Sequence, residues 1–315
     1  MKTLVSGVKP TGRPHIGNYF GAMKQFVDLQ NEYDTRIFVA NMHALTGIEN
    51  GGELKQDSID VVLDYLAIGL DPEKTTLYFQ SDVPHVTELA WIFECITTMP
   101  YLMRAHAFKD AEAKNKDINV GTFNYPMLMA ADILAADGDV VPVGRDQKQH
   151  IEYAREAAAK FNNAFGQTFK EPQELILENV GVVPGTDGKK MSKSYGNTIP
   201  LFATDGEIEK AVMSIVTDSG SDIPQNVYAI HALIRDKASL DALYTEKKGK
   251  YKELKDALIA DLKVFIGPMR ERRKEWEAKP DEVKKILTEG GLKMRKIVHE
   301  KMNEVREKVG LIHHE

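Results

Sequence analysis

Two short segments carry residue types suited to handling phosphate. His15-Ile16-Gly17-Asn18 follows a turn made of Pro10-Thr11-Gly12-Arg13-Pro14. An imidazole and an amide three residues apart share one side of a helical turn. Gly17 lets a flat base or ribose come close to the backbone. A glycine turn between a strand and a helix start aims backbone N–H groups and a positive dipole end outward, where an anion binds well. No Gly-x4-Gly-Lys-Ser/Thr sequence occurs here, so this is not a Walker A loop, and it is not the dinucleotide fingerprint either. The second segment is Lys190-Met191-Ser192-Lys193-Ser194, between Gly188 and Gly196. Two ammonium groups three residues apart, with hydroxyls between them, suit a mobile clamp on a polyphosphate. Read singly, the first segment is equally a capped structural turn, and the second an exposed basic linker.

The elements that must position these groups follow from hydrophobic period. Thr3–Ser6, Arg36–Ala40, Thr75–Gln80 and Val140–Gly144 read as buried strands. Helical spacing runs between them, as in Ile16, Phe20, Met23 and Val27, or Ile59, Val62 and Leu66. Thr87 would cap a helix to Thr98, and Pro126 would open one ending near Ala136. Gln147–Phe161 reads as a further helix, and Asn115–Thr122 as a polar loop. Such alternation predicts an α/β fold with a parallel sheet covered on both faces. Beyond about Asn197 the strand signals fade. Asp205–Val216, Val227–Arg235, Leu240–Tyr244, Tyr251–Phe265 and Asp281–Val309 all read as helical, which predicts a second, all-helical domain.

Composition narrows the class. The chain has 315 residues, 43% apolar and 28% charged, enough for one large or two unequal domains. A lone cysteine, Cys95, excludes an internal disulfide framework or a multi-cysteine metal site. No apolar run reaches the ~18 residues needed to span a bilayer, and the start lacks a signal-peptide pattern. A cytoplasmic protein is expected. The net charge is −6, yet the last quarter, from Glu246, holds 19 basic and 14 acidic residues. That local surplus fits an RNA-contacting end or simply solvated helix faces.

Taken together, the two segments are far more specific than either alone. His15-Ile16-Gly17-Asn18 resembles the HIGH element of class I aminoacyl-tRNA synthetases, with Asn in the last place, and Lys190–Ser194 reads as their KMSKS element. Tyr125-Pro126-Met127-Leu128-Met129-Ala130-Ala131-Asp132 resembles the pocket helix of the tryptophanyl-tRNA synthetases, and Val141–His150 their next strand and helix. Asn18–Ala22 and His43–Thr46 match as well. The similarity covers most of residues 1–200 and is only general beyond.

The resemblance implies a Rossmann-like nucleotide-binding domain over residues 1–190, rejoined by the C-terminal helix at about 293–315. It places a helical anticodon-binding domain at 191–292. It implies activation of L-tryptophan with ATP, accompanied by Mg²⁺ on the phosphates and no dedicated metal site, then transfer to tRNA(Trp) by a homodimer. His15, Asn18, Lys190 and Lys193 would be catalytic. Lys9, Thr11, Gly17, Asn18, Gly144, Asp146, Gln147 and the loop Lys190, Met191, Ser192, Lys193 and Ser194 would hold ATP. Val5, Gly7, His43, Tyr125, Met129, Asp132, Val141, Val143 and Gln147 would line the tryptophan pocket. The chemistry agrees: an indole has flat apolar faces and one N–H donor. Asp132, inside an apolar run, would accept that donor while Met129, Val141 and Val143 pack the rings. The departures are Val5, where the family often has Phe, Lys9, where Gln is common, and Arg145, which replaces a frequent acidic residue. A tyrosine-activating relative, a small adenylyltransferase and a catalytically silent tryptophan- or RNA-binding paralogue remain as alternatives.

Overall fold

Leu4 and Val5, Ile37 and Phe38, and Leu77 and Tyr78 are neighbours in sequence, yet each pair divides between two separate buried clusters. Period-two alternation sends successive side chains to opposite faces of a sheet. Both faces must therefore be covered, and they are. A computed structural model describes residues 1–47, 50–113, 118–143, 148–175, 182–217 and 222–311. Its strands are β1 (Thr3–Val8), β2 (Asp34–Val39), β3 (Thr75–Phe79), β4 (Val140–Pro142) and β5 (Gln173–Leu175). All pair in parallel, in the order β3-β2-β1-β4-β5. This is the doubly wound order, whose ligand crevice lies at the carboxyl ends of the strands flanking the switch point, here β1 and β4.

The helices in chain order are α1 (Ile16–Asn18), α2 (Lys24–Leu29), α3 (Asn41–Ala44), α4 (Gly51–Ala67), α5 (His85–Cys95), α6 (Met99–Leu102), α7 (His106–Ala113), α8 (Val120–Ala135) and α9 (Lys148–Phe165). They continue with α10 (Asp205–Met213), α11 (Gln225–His231), α12 (Lys237–Glu246), α13 (Tyr251–Glu277) and α14 (Pro280–Val309). A π-helical turn, Tyr19–Met23, joins α1 to α2. One cluster packs α2 and α4 on the sheet and continues through Ile208, Val227, Leu240, Leu254 and Leu258 of the later helices. The other packs α5, α8 and α9 on the opposite face and takes in Met294, Val298 and Met302 of α14.

Helix α14 crosses the sheet edge at β3. A Cβ on Gly290 would lie 2.0 Å from the Leu77 carbonyl oxygen, so glycine alone lets the helix meet the strand's backbone. Lys293 Nζ donates to Thr76 Oγ1 at 2.8 Å on the same strand. An edge strand that would otherwise be open to pairing is thereby covered.

Two expectations change, and one strand is added. Helix α8 begins at Val120, where Asn119 accepts from the Thr122 N–H, and Pro126 lies inside it. The asparagine cap outweighs the missing proline donor, so the expected polar loop is partly helix. Thr87 does not cap α5. The helix starts at His85, and the Thr87 hydroxyl donates back to the Pro84 carbonyl at 2.7 Å. Strand β5, three residues long, had no legible period. Among the described residues, no helix is long and apolar enough to cross a membrane.

Candidate active site

The carboxyl end of β1 leads through Lys9–Pro14 into α1, whose N-cap is His15. His15 and Asn18 cap each other. The Asn18 N–H donates to His15 Nδ1 at 3.2 Å, and the His15 N–H donates to Asn18 Oδ1 at 3.0 Å. An imidazole that accepts at Nδ1 carries its proton at Nε2 when neutral. The mutual cap uses neither the Nε2–H of His15 nor the Nδ2 of Asn18. Burial, then the nearby Lys193 cation, depresses His15 from 6.5 to about 4, so the ring is neutral at pH 7. Gly17 is required: a Cβ there would lie 2.8 Å from His15 Nδ1 and 3.3 Å from Met191 Cβ.

The second segment folds directly onto this turn. Ile16 N–H donates to the Ile199 carbonyl and Leu201 N–H to the Pro14 carbonyl, each at 3.0 Å. Lys193 Nζ donates to the carbonyl oxygens of Thr11 and Gly12 at 2.7 and 2.9 Å. Desolvation lowers that ammonium's pKa, and the carboxylates of Asp57 and Asp64 oppose the shift. Lys193 and Thr11, 182 positions apart in sequence, thus meet around one turn. Asn197, 2% exposed, shapes the loop from beneath. It accepts from the Ser192 N–H at 2.8 Å and donates to Asp187 and to the Lys190 carbonyl. Lys190 forms a bridge with Pro184, and the hydroxyls of Ser192 and Ser194 lie 2.9 Å apart.

A second group gathers at the ends of β2 and β3. Asp132, on α8, is 4% exposed. Its Oδ2 lies 2.9 Å from His43 Nε2, and Gln80 Nε2 donates to both carboxylate oxygens at 3.0 and 2.9 Å. Burial raises the Asp132 pKa, while His43 and Gln80 oppose that shift. Tyr125 packs its ring against His43, with centroids 6.3 Å apart, and its hydroxyl lies 3.0 Å from His150 Nε2. Met129 and Val143 are half-buried, Val141 is buried, and Val5 is fully buried; all belong to one apolar cluster. Gly7 packs on Phe38, whose carbonyl oxygen would lie 2.6 Å from a Cβ there. Lys9 Nζ donates to Thr46 Oγ1 at 3.2 Å, which brings it beside the His43 turn. Gly144, Asp146 and Gln147, together with Arg145, lie outside the described residues.

The structure therefore brings Thr11, His15, Gly17, Asn18, Met191 and Lys193 into one group, and His43, Tyr125 and Asp132 into another. Both stand beyond the carboxyl ends of parallel strands. Gln80 and Asn197 were not singled out by sequence reading. A single Gln after a strand has no pattern; only its place at the carboxyl end of β3 marks it.

Several known proteins match most or nearly all of the chain. The family of class I tRNA synthetases (W and Y) matches residues 1–264. A tryptophan–tRNA ligase of Fusobacterium nucleatum is 47% identical over 321 aligned residues, covering 99% of this chain and 99% of its own. The crystal structure of tryptophanyl-tRNA synthetase from Campylobacter jejuni, complexed with ADP and tryptophan, is 43% identical with a TM-score of 0.91. It covers 99% of this chain and 100% of that one. A tyrosyl-tRNA synthetase from Archaeoglobus fulgidus is 20% identical with a TM-score of 0.69, over 86% of this chain and 90% of its own, a likeness of fold alone.

Proposed function

The chain belongs to the class I tRNA synthetases of the tryptophan and tyrosine group, and we propose that it joins L-tryptophan to ATP and passes the acyl group to tRNA(Trp). The observation that carries this reading is the seating of Lys193 on Thr11 and Gly12, beside the mutually capped His15 and Asn18. That arrangement supplies a cation and two neutral donors at the mouth of a doubly wound sheet, a cradle for a triphosphate.

The tryptophan carboxylate attacks the α-phosphorus in line, and pyrophosphate leaves. The nucleophile arrives ionised, so no general base is needed, and the rate comes from alignment and charge stabilisation. His15 Nε2–H and Asn18 Nδ2 donate to phosphate oxygens. Lys193, with Lys190, neutralises the departing pyrophosphate, and Ser192 and Ser194 order the loop. Among the described residues no group of three or more His, Cys, Asp or Glu is placed to hold a metal. A Mg²⁺ bound through the phosphates would add charge neutralisation there. Asp132 accepts the indole N–H, and Met129, Val141 and Val143 pack the rings. Residues 191–292 would meet the anticodon arm of tRNA.

The chain also fits a homodimer. Leu45, Trp91, Met99 and Val120 are 60%, 67%, 67% and 72% exposed. Leu45, Trp91 and Val120 line one cleft of about 470 Å³, which also takes in His43 and Tyr125, and exposed apolar side chains of this size are what a second copy would cover.

The deciding assay is amino-acid-dependent exchange of labelled pyrophosphate into ATP. Tryptophan should support it and tyrosine should fall short by orders of magnitude. Exchange with tyrosine at a comparable rate, or with neither, would overturn this assignment.

A further inference from the structure

We propose that Gln80 is a specificity-determining positioning residue, which fixes the Asp132 carboxylate as a rigid acceptor for the indole N–H. This rests on the reading of Asp132 as the indole's partner.

Gln80 follows β3 directly and is 1% exposed. Its Oε1 accepts from the N–H groups of Met42 and His43 at 3.0 and 3.2 Å. Those are donors at the start of α3, which has no internal partner for them. The side-chain amide therefore has one allowed orientation: reversing it would set NH₂ against two N–H groups. The same orientation aims Nε2 at Asp132, where it reaches both oxygens. His43 takes the remaining direction on Oδ2 at 2.9 Å, which requires its proton at Nε2. Oδ2 thus meets two donors and Oδ1 only one among these contacts. A carboxylate oxygen has room for two, so the open position on Oδ1 takes a donor of fixed direction. A neutral amide fits this role, because it donates without adding charge to a buried site. The backbone of α3 and the end of β3 thereby set the direction of a carboxylate on α8.

The test compares L-tryptophan with its benzothienyl analogue, in which sulfur replaces the indole N–H, in pyrophosphate exchange. The unaltered protein should favour tryptophan roughly a hundredfold or more, as a site with a buried acceptor does. Gln80→Met should cut that preference about tenfold or more, by raising KM for tryptophan with little change for the analogue. Gln80→Glu retains an acceptor for the Met42 and His43 N–H groups but sets two carboxylates together, which raises the pKa of the introduced group. Its preference should be low at pH 8 and recover towards pH 6, as the introduced carboxyl group takes up a proton and donates it to Asp132 in a hydrogen bond. Equal losses for both substrates, with no pH-dependent recovery in the Gln80→Glu variant, would reduce Gln80 to scaffolding and overturn the proposal. If Gln80→Met fails to give a cooperative melt, Gln80→Glu decides alone. Indifference of the unaltered protein to the N–H would instead remove Asp132 from indole recognition, a different failure.

Discussion

A neutral His15 follows from its surroundings. Burial, then the Lys193 cation, brings the ring to about 4. Because this lies below the ordinary 6.5, folding favours the neutral form. Its contribution to stability is complete above pH 6.5 and is withdrawn as pH falls through 6.5 towards 4. A proton NMR titration of the free protein should put the His15 Cε1–H midpoint near 4, and a midpoint near 6.5 would mean a hydrated ring that is partly cationic during turnover. Lys193 is the charged member of the pair. Lys193→Ala should slow single-turnover adenylate formation at least about tenfold, with tryptophan affinity little changed, as expected for a group that acts on the leaving pyrophosphate. An unchanged rate would take Lys193 out of the chemistry. Both residues were legible because each sits in a short run of unusual types. Asp132 was legible because a carboxylate interrupts an apolar run. Gln80 was not, since its role depends on three elements that only the folded sheet brings together.

Elements with a period or an apolar run were legible, down to the three residues of β4. The periods of α4 and α14 run over 17 and 30 residues, so their apolar stripes stand out, while α13, read as far as Phe265, continues through Pro268 to Glu277. Strand β5 has three residues and no such signal. What sequence could not show is how α13 grips α4. Arg273 donates to Asp64 at 2.7 Å and to Asp60 at 2.8 Å, and pairs with Glu277. Desolvation raises the Asp64 pKa to about 6, with Arg273 opposing the rise. The folded value lies above the unfolded one, so the contribution of Asp64 is present at low pH and lost as pH rises through 6. Arg273→Met should therefore destabilise by on the order of 3 kcal/mol, with a larger drop in melting temperature at pH 8 than at pH 5. An equal drop at both would mean that Asp64 stays solvated without its partner.

The basic surplus of the last quarter divides once the chain is folded. Arg270 holds the Ala203 carbonyl and Asp205, Arg272 the Ala67 carbonyl, Arg306 Glu88, and Lys301 Asp137. These cations fasten the late helices to the rest of the molecule, a use that a charge count cannot separate from RNA binding. The exposed apolar surface is similarly invisible in composition, because Leu45, Trp91 and Val120 lie on three separate segments and meet in one cleft only once α5 packs beside α8. A surface of this kind stays in water at a cost of about 25 cal/mol per Å² of apolar area, and a second copy of the same face would remove it. In a two-fold interface each substitution counts twice, so a charge placed there should act strongly. If the proposed homodimer forms through this face, the unaltered protein should sediment as a dimer and Trp91→Glu as a 35.3 kDa chain, while a control at an exposed position away from that cleft, Val264→Glu on α13, should sediment like the unaltered protein. Sedimentation of the unaltered protein as a single chain would remove the homodimer, and a dimer in both variants would show that another face forms it.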